Sequence, residues 1–240
     1  MSFYKKHKGF TLAEVLITIG IIGVVAAVTI PTLITNHQKK VTLSRLKQTF
    51  SMIGQAVKLS ENENGDIGTW NFKQPSAKAI FDEYLTPFIT ITQKTNSPML
   101  NSEKIPYVTL SGNKWRYVVQ QYPTSIYTTL NGVDLLLFSS YPVTDPETRT
   151  GCSIGVDING STHGPNRLGK DWFYINVNQT KRVILPESND EDGTPLTRKQ
   201  LLGEDNSQNI RYSCNKNQDG QWCGRLIQVD GWEIRKDYPW

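Results

Sequence analysis

The sequence predicts an α+β protein: a long N-terminal helix, apolar in its first half and amphipathic in its second, packed on an antiparallel β-sheet. Three observations predict it. Residues 10–35 run almost without interruption through Phe, Leu, Val, Ile, Ala, Gly and Thr. Leu43, Leu46, Phe50, Ile53 and Val57 then recur three and four apart, the single stripe of a surface helix. From about residue 63 onward, short strand-like runs alternate with turn signals.

As a helix rising about 1.5 Å per residue, residues 10–35 span roughly 39 Å, enough for the hydrocarbon core of a membrane. Lys5, Lys6 and Lys8 precede the run and favour a cytoplasmic start, which places the following chain on the other side. Three ordinary explanations compete. A secretory signal has a shorter apolar core, about 7–15 residues, and a small-residue cleavage site that Ala26-Ala27-Val28 does not supply. A plain membrane anchor explains length and flanks but not Glu14, because an acid in a membrane helix is costly unless it snorkels or finds a partner. A buried helix of a soluble protein rarely needs so long an apolar run.

Lys8-Gly9-Phe10-Thr11-Leu12-Ala13-Glu14-Val15-Leu16 resembles the processing site of type IV prepilins and type II secretion pseudopilins. The resemblance covers residues 1–35 closely and 36–62 loosely. It implies a leader of residues 1–9, cleavage between Gly9 and Phe10 by a membrane prepilin peptidase, and methylation of the new terminus at Phe10. It also implies a role for Glu14, which would neutralise the terminal ammonium of a neighbouring subunit as helices stack into a filament. Two charges costly in lipid then become one pair. Ala13, Gly20, Gly23, Ala26 and Ala27 are small enough for close helix approach. Pro31 lacks a donor and crowds the carbonyl of Ala27, so a kink or local melting is expected there, as in pilin-like helices.

The amphipathic continuation, residues 36–62, should end in the Asn- and Gly-rich stretch 61–68 and pack on the chain's own head, residues 63–240. A coiled-coil dimer is the alternative, although fewer than three heptads are present. In the head, residues 77–89 read as a short helix broken at Pro87. Residues 114–122, 125–130 and 133–141 read as strands, the last two joined by an Asn131-Gly132 hairpin turn. Residues 153–158 and 171–178 form a further pair around the loop 159–170, and 182–186 and 225–235 are late strands. Residues 186–195 read as an exposed polar loop.

The net charge of +4 is unevenly distributed. Residues 1–62 hold eight Lys/Arg against two acids, and residues 63–240 the remaining eighteen against twenty. The head therefore has no single-sign field, and nucleic acid is an unlikely partner. Cys214 and Cys223 enclose eight residues rich in Asn, Gln, Asp and Gly, a loop readily closed by a disulfide outside the cytoplasm. Cys152 is then bonded elsewhere or buried as a small apolar residue. Asp157, Asn159 and Asp171 have the oxygen-rich look of a calcium loop, but Gly160 and Leu168 break the EF-hand pattern, and Asn159-Gly160 is equally a hairpin turn. Some pseudopilins resemble this chain in ordering a head loop with calcium. His163 lies in a Gly/Pro/Asn loop with no nucleophile pattern nearby, and there is no G-x-S-x-G, P-loop or H-E-x-x-H. The tryptophans read as core or interface, and residues 231–240 either pack the chain end or form a sticky edge.

The expectation is a structural subunit of a type IV pilus or type II secretion-like filament, not an enzyme. Its partners would be the prepilin peptidase, sibling pilin or pseudopilin subunits, membrane lipid and an inner-membrane assembly platform. It would cross the inner membrane once with the head outside the cytoplasm, then pass into a periplasmic or extracellular filament. The alternative is a minor pilin or anchored adhesin whose head recognises a ligand.

Overall fold

The computed structural model describes residues 9–74, 76–97, 107–114, 124–138, 151–179, 183–186, 195–205 and 210–240. The leader, the expected strand at 114–122 beyond Lys114 and most of the loop 186–195 fall outside these residues. The chain divides into two compact units, Met1–Val41 and Thr42–Trp240. One helix, α1 (Leu12–Asn64), contributes to both and stays helical through Pro31 instead of melting there, although Pro31 has no N–H to donate. By length and composition it is long and apolar enough to cross a membrane.

In the second unit α1 behaves as its stripe predicts. Leu46, Ile53, Ala56 and Val57 are buried, and Leu43 and Phe50 are partly so. Thr42, Thr49 and Ser60 are buried beside them, and their small side chains extend the seam. The helix ends at Asn64 because Gly65 takes φ +81°, the left-handed turn that glycine permits. A 3₁₀ turn (Ile67–Thr69) and α2 (Ala77–Tyr84) follow. Ser76 caps α2 through Ala79 N, and the helix stops short of Pro87 as expected.

The sheet is a six-stranded antiparallel meander in sequence order: β1 (Ile91–Ser97), β2 (Thr124–Thr129), β3 (Asp134–Phe138), β4 (Gly151–Asp157), β5 (Trp172–Asn178) and β6 (Val183–Pro186). The β2–β3 hairpin turns at Asn131-Gly132, with Gly132 at φ +72°. One row of register partners, Tyr127–Leu135–Val156–Phe173, belongs to the large core shared with α1. The opposite face carries the row Ile126–Leu136–Gly155–Tyr174, and with Trp172, Tyr107 and Leu168 it builds a second, smaller core. Both faces of the central strands are thus covered.

Residues 225–235 are not a strand. They begin in helix α4 (Cys223–Val229) and continue as turns, after α3 (Arg198–Leu202). Cys223, Leu226 and Ile227 fall on one helical face and are all buried. Gly224 lies against Pro186 and Phe173, so α4 packs on the β5–β6 end of the sheet. That packing outweighs the β-branched character of the segment. The last ten residues pack the chain end. Tyr238 is buried and donates to the carbonyl of Gly169 (2.5 Å), and Trp232 lies 5.2 Å from Phe50 between ring centroids.

Candidate assembly site

The first unit has a helix whose apolar side chains are exposed among the described residues. Every Phe, Leu, Ile and Val from Phe10 to Ile34 is exposed, from 43% at Val15 to 88% at Phe10. At about 1.5–3 kcal/mol per side chain, these fourteen residues hold roughly 20–40 kcal/mol of burial that only lipid or other helices can realise. The hydroxyls within the run are satisfied internally. Thr18 donates to Glu14 O (2.7 Å), Thr29 to Val25 O (2.9 Å) and Thr35 to Pro31 O (2.9 Å), which suits a segment without water.

The start of α1 adds a feature that is written in the sequence. Thr11-x-x-Glu14 is a capping box. Thr11 N and Oγ1 donate to Glu14 Oε2 at 2.8 and 2.9 Å, and Glu14 N donates back to Thr11 Oγ1 at 3.2 Å. Two orphan backbone donors of the first turn are satisfied this way. Both bonds to the carboxylate fall on Oε2, so Oε1 remains for a donor from outside the helix. Gly9 and Phe10 precede the cap as exposed, non-helical residues, which leaves their peptide bond accessible.

The other expected site residues lie in the second unit. Cys214 and Cys223 form the disulfide, with Cα atoms 4.7 Å apart. Gly169, at φ +76°, permits its approach: a Cβ there would meet Cys223 Sγ at 2.7 Å. Cys152 is buried in the large core, as its apolar reading requires. Asp157 and Asp171 do converge at one end of the sheet, joined by Asp134, which pairs with Asp157 in register. All three are buried. Each carboxylate, however, already accepts from the protein. Asp157 takes Tyr107 Oη (2.9 Å) and Asn159 N (3.2 Å). Asp171 takes the amides of Asn166 (2.8 Å) and Arg167 (2.7 Å). Asp134 takes Thr128 Oγ1 and both donors of Ser161. Among the described residues no group of three His, Cys, Asp or Glu is placed to hold a metal ion. The trio ties down the loop 158–171. Burial, reinforced by the charges of Asp171 and Asp134, pushes the Asp157 carboxyl up to about 7, and burial also raises Asp171. His163 is exposed at the tip of this loop beside Thr162.

The model of a family of unknown function, DUF6613, matches residues 32–240. The chain belongs to that family. The prokaryotic N-terminal methylation motif matches residues 4–30, immediately ahead of the DUF6613 region. Prepilin peptidase-dependent protein D of Escherichia coli (strain K12) is 39% identical over 64 residues, 27% of this chain and 43% of that protein. The chain thus spans less than half the length of this curated relative. No solved structure is significantly similar. This DUF6613 member is therefore type IV pilin-like at its N-terminus, as its residues indicated, and carries the α+β architecture expected from its sequence.

Proposed function

We propose that this protein is a pilin or pseudopilin subunit that enters a type IV pilus or type II secretion-like filament after processing by a prepilin peptidase. Residues 1–9 are the leader, 10–35 the membrane and assembly segment, 36–62 its amphipathic continuation and 63–240 the head. Cleavage between Gly9 and Phe10 frees the Phe10 amine, which is then methylated. The protein waits in the inner membrane with its head outside the cytoplasm, and an assembly platform draws it into contact with sibling subunits. There Glu14 Oε1 receives the terminal ammonium of a neighbour while Oε2 keeps its own helix capped. The role is structural, with no chemistry assigned to the head.

The observation that carries this reading is the exposed apolar helix with an acid in its first turn, directly after a methylation-type junction. The test is the intact mass and N-terminal peptide of the protein from membranes of a host with active prepilin peptidase. A terminus at Phe10 bearing one methyl group is expected. A chain still beginning at Met1 would remove the processing step and leave Glu14 a tolerated acid in a plain anchor. Abundance in sheared filaments then separates a bulk subunit from a scarce tip or adhesin module.

A further inference from the structure

Among the described residues β1 is an outer strand of the sheet, paired with β2 alone. The outer side of such a strand presents N–H and C=O groups as a template for another strand, and folds commonly blunt it with proline, charge, a bulge or a cover. The opposite edge has such devices. β6 is 4 residues long, ends in Pro186 and lies against α4, where a Cβ added at Gly224 would meet Pro186 Cβ at 3.3 Å. β1 is 7 residues long and holds no proline. Its bulge sits at the start, between Ile91 and Gln93, which leaves residues 93–97 in regular register. Its one charge, Lys94, is turned back onto the chain's own sheet. The Lys94 Nζ lies 3.7 Å from Asp82 Oδ1 and 4.7 Å from the Tyr127 ring centroid.

The register fixes which backbone groups are on offer. Thr129 N donates to Val133 O on the β3 side, and Leu130 N donates to Thr90 O on the β1 side. These directions alternate along a strand, so Thr124, Ile126 and Thr128 turn toward β1, where their partners are Ser97, Thr95 and Gln93. The N–H and C=O groups of Lys94 and Asn96 therefore point away from the sheet. A second β1 laid antiparallel must bond through the same residues. Centred on Lys94, the pair would set like charges face to face. Centred on Gln93 or Asn96, it would bring Lys94 opposite the bulge at Thr92 or opposite Pro98, which has no N–H. Centred on Thr95, Lys94 of each copy meets Asn96 of the other, and every outward donor finds an acceptor.

We propose that β1 pairs antiparallel with β1 of a second copy of this chain about a two-fold axis at Thr95, joining two heads into one continuous sheet. The contact is isologous and closes as a dimer. It concerns the head alone and goes beyond the filament reading above, since a chain that keeps its leader pairs in the same way. Backbone bonds alone hold free heads weakly, and two chains held in one membrane pair more readily because their effective concentration is higher.

The test is cross-linking of the full-length protein in host membranes with a mild thiol oxidant. Across the axis the two Thr95 Cα atoms would lie about 4.5 Å apart, a spacing that a disulfide bridges. T95C should therefore give a covalent dimer. Gln93 is exposed like Thr95 and lies on the same face, but its counterpart would sit roughly 13 Å away along the strand. Q93C should give about a fifth as much dimer or less, and wild-type protein none. Adding N96P to T95C removes an outward donor from each copy and should cut the dimer about fivefold, with an unchanged urea midpoint to show that the head still folds. Equal yields at 93 and 95, dimer at 93 alone, or T95C left monomeric would overturn the proposal. So would a dimer that persists in folded T95C/N96P. T95C joined to a different protein instead of to itself would show that the edge takes a foreign strand, and would overturn it as well. Where N96P lowers the midpoint, T95C against Q93C decides alone.

Discussion

Asp157 should make the protein more stable in mild acid than in mild base, the reverse of ordinary acid denaturation. Its side chain is fully buried, and its partners are the Tyr107 hydroxyl and one backbone amide, with two further carboxylates nearby. In the unfolded chain it titrates near 3.8, and in the folded one at about 7. The folded state therefore binds the proton more tightly. Its contribution is fully present below pH 3.8 and is lost as pH rises through about 7. The gap between the two values corresponds to at most roughly 4 kcal/mol, at about 1.4 kcal/mol per pH unit. Asp171 is raised as well and acts in the same sense. Asp82, where burial is outweighed by bonds from Lys78 and Tyr127, and Asp237, held low by Arg198, lose their contribution only below pH 3.8 and leave this window untouched. Urea unfolding followed by tryptophan fluorescence at a series of pH values from about 5 to about 8 should show stability falling up to about pH 7 and levelling off above it. Asp157→Asn keeps an acceptor for Tyr107, costs about 1 kcal/mol through the Asn159 amide, and should remove most of the slope. A wild-type protein equally stable across the range, or a variant with an unchanged slope, would refute the placement of this carboxyl.

Ile53→Ala, at a fully buried position of the α1 seam, should cost about 2–5 kcal/mol in the same unfolding assay. Cys214→Ser with Cys223→Ser removes a link of sequence separation 9 and should cost roughly 2–3 kcal/mol, read as a lower urea midpoint under non-reducing conditions. Arg198→Met strips the main partner from buried Asp230 and frees Asp237. It should cost about 2 kcal/mol and expose residues 231–240 to limited proteolysis. Millimolar calcium against chelator should leave the thermal midpoint unchanged, because the carboxylates of Asp157 and Asp171 are already spent on protein donors; a rise of several degrees would reinstate the cation.

The parts legible in the sequence are those where a repeating pattern has only one physical outlet. The 43–57 stripe can bury itself only as a helix, and the Asn131-Gly132 turn can join its flanking runs only as a hairpin, and both stand as read. The strand β1 was not legible. Ile91-Thr-Gln-Lys-Thr-Asn-Ser97 has almost no apolar alternation, and it becomes a strand only because it pairs with β2 at the sheet edge. The expected strand at 225–235 gives way to the helix Cys223–Val229 for the opposite reason. Leu226, Ile227 and Val229 suit either structure, and the deciding facts, the Cys214 link and the surface around Phe173 and Pro186, lie elsewhere in the chain.

The same limit governs the acidic residues, and the contrast between Glu14 and Asp157 shows why. Glu14 can be interpreted locally, since an acid three residues after a threonine, at the head of an apolar run, has a cap to make and little else within reach. Asp157 looked like a calcium ligand because its neighbours in sequence are oxygen-rich. Its actual partner is Tyr107, fifty residues away, and its neighbour in register is Asp134. Carboxylates with local partners can be assigned from spacing. Those at strand ends take their role from whichever strand the fold brings beside them, and here Asp157 and Asp171 accept from Tyr107, Asn159, Asn166 and Arg167. The prediction with calcium and the prediction with pH therefore test one claim from two sides: a carboxyl that binds a metal is ionised and stabilised as pH rises, whereas one buried against a tyrosine is stabilised as pH falls.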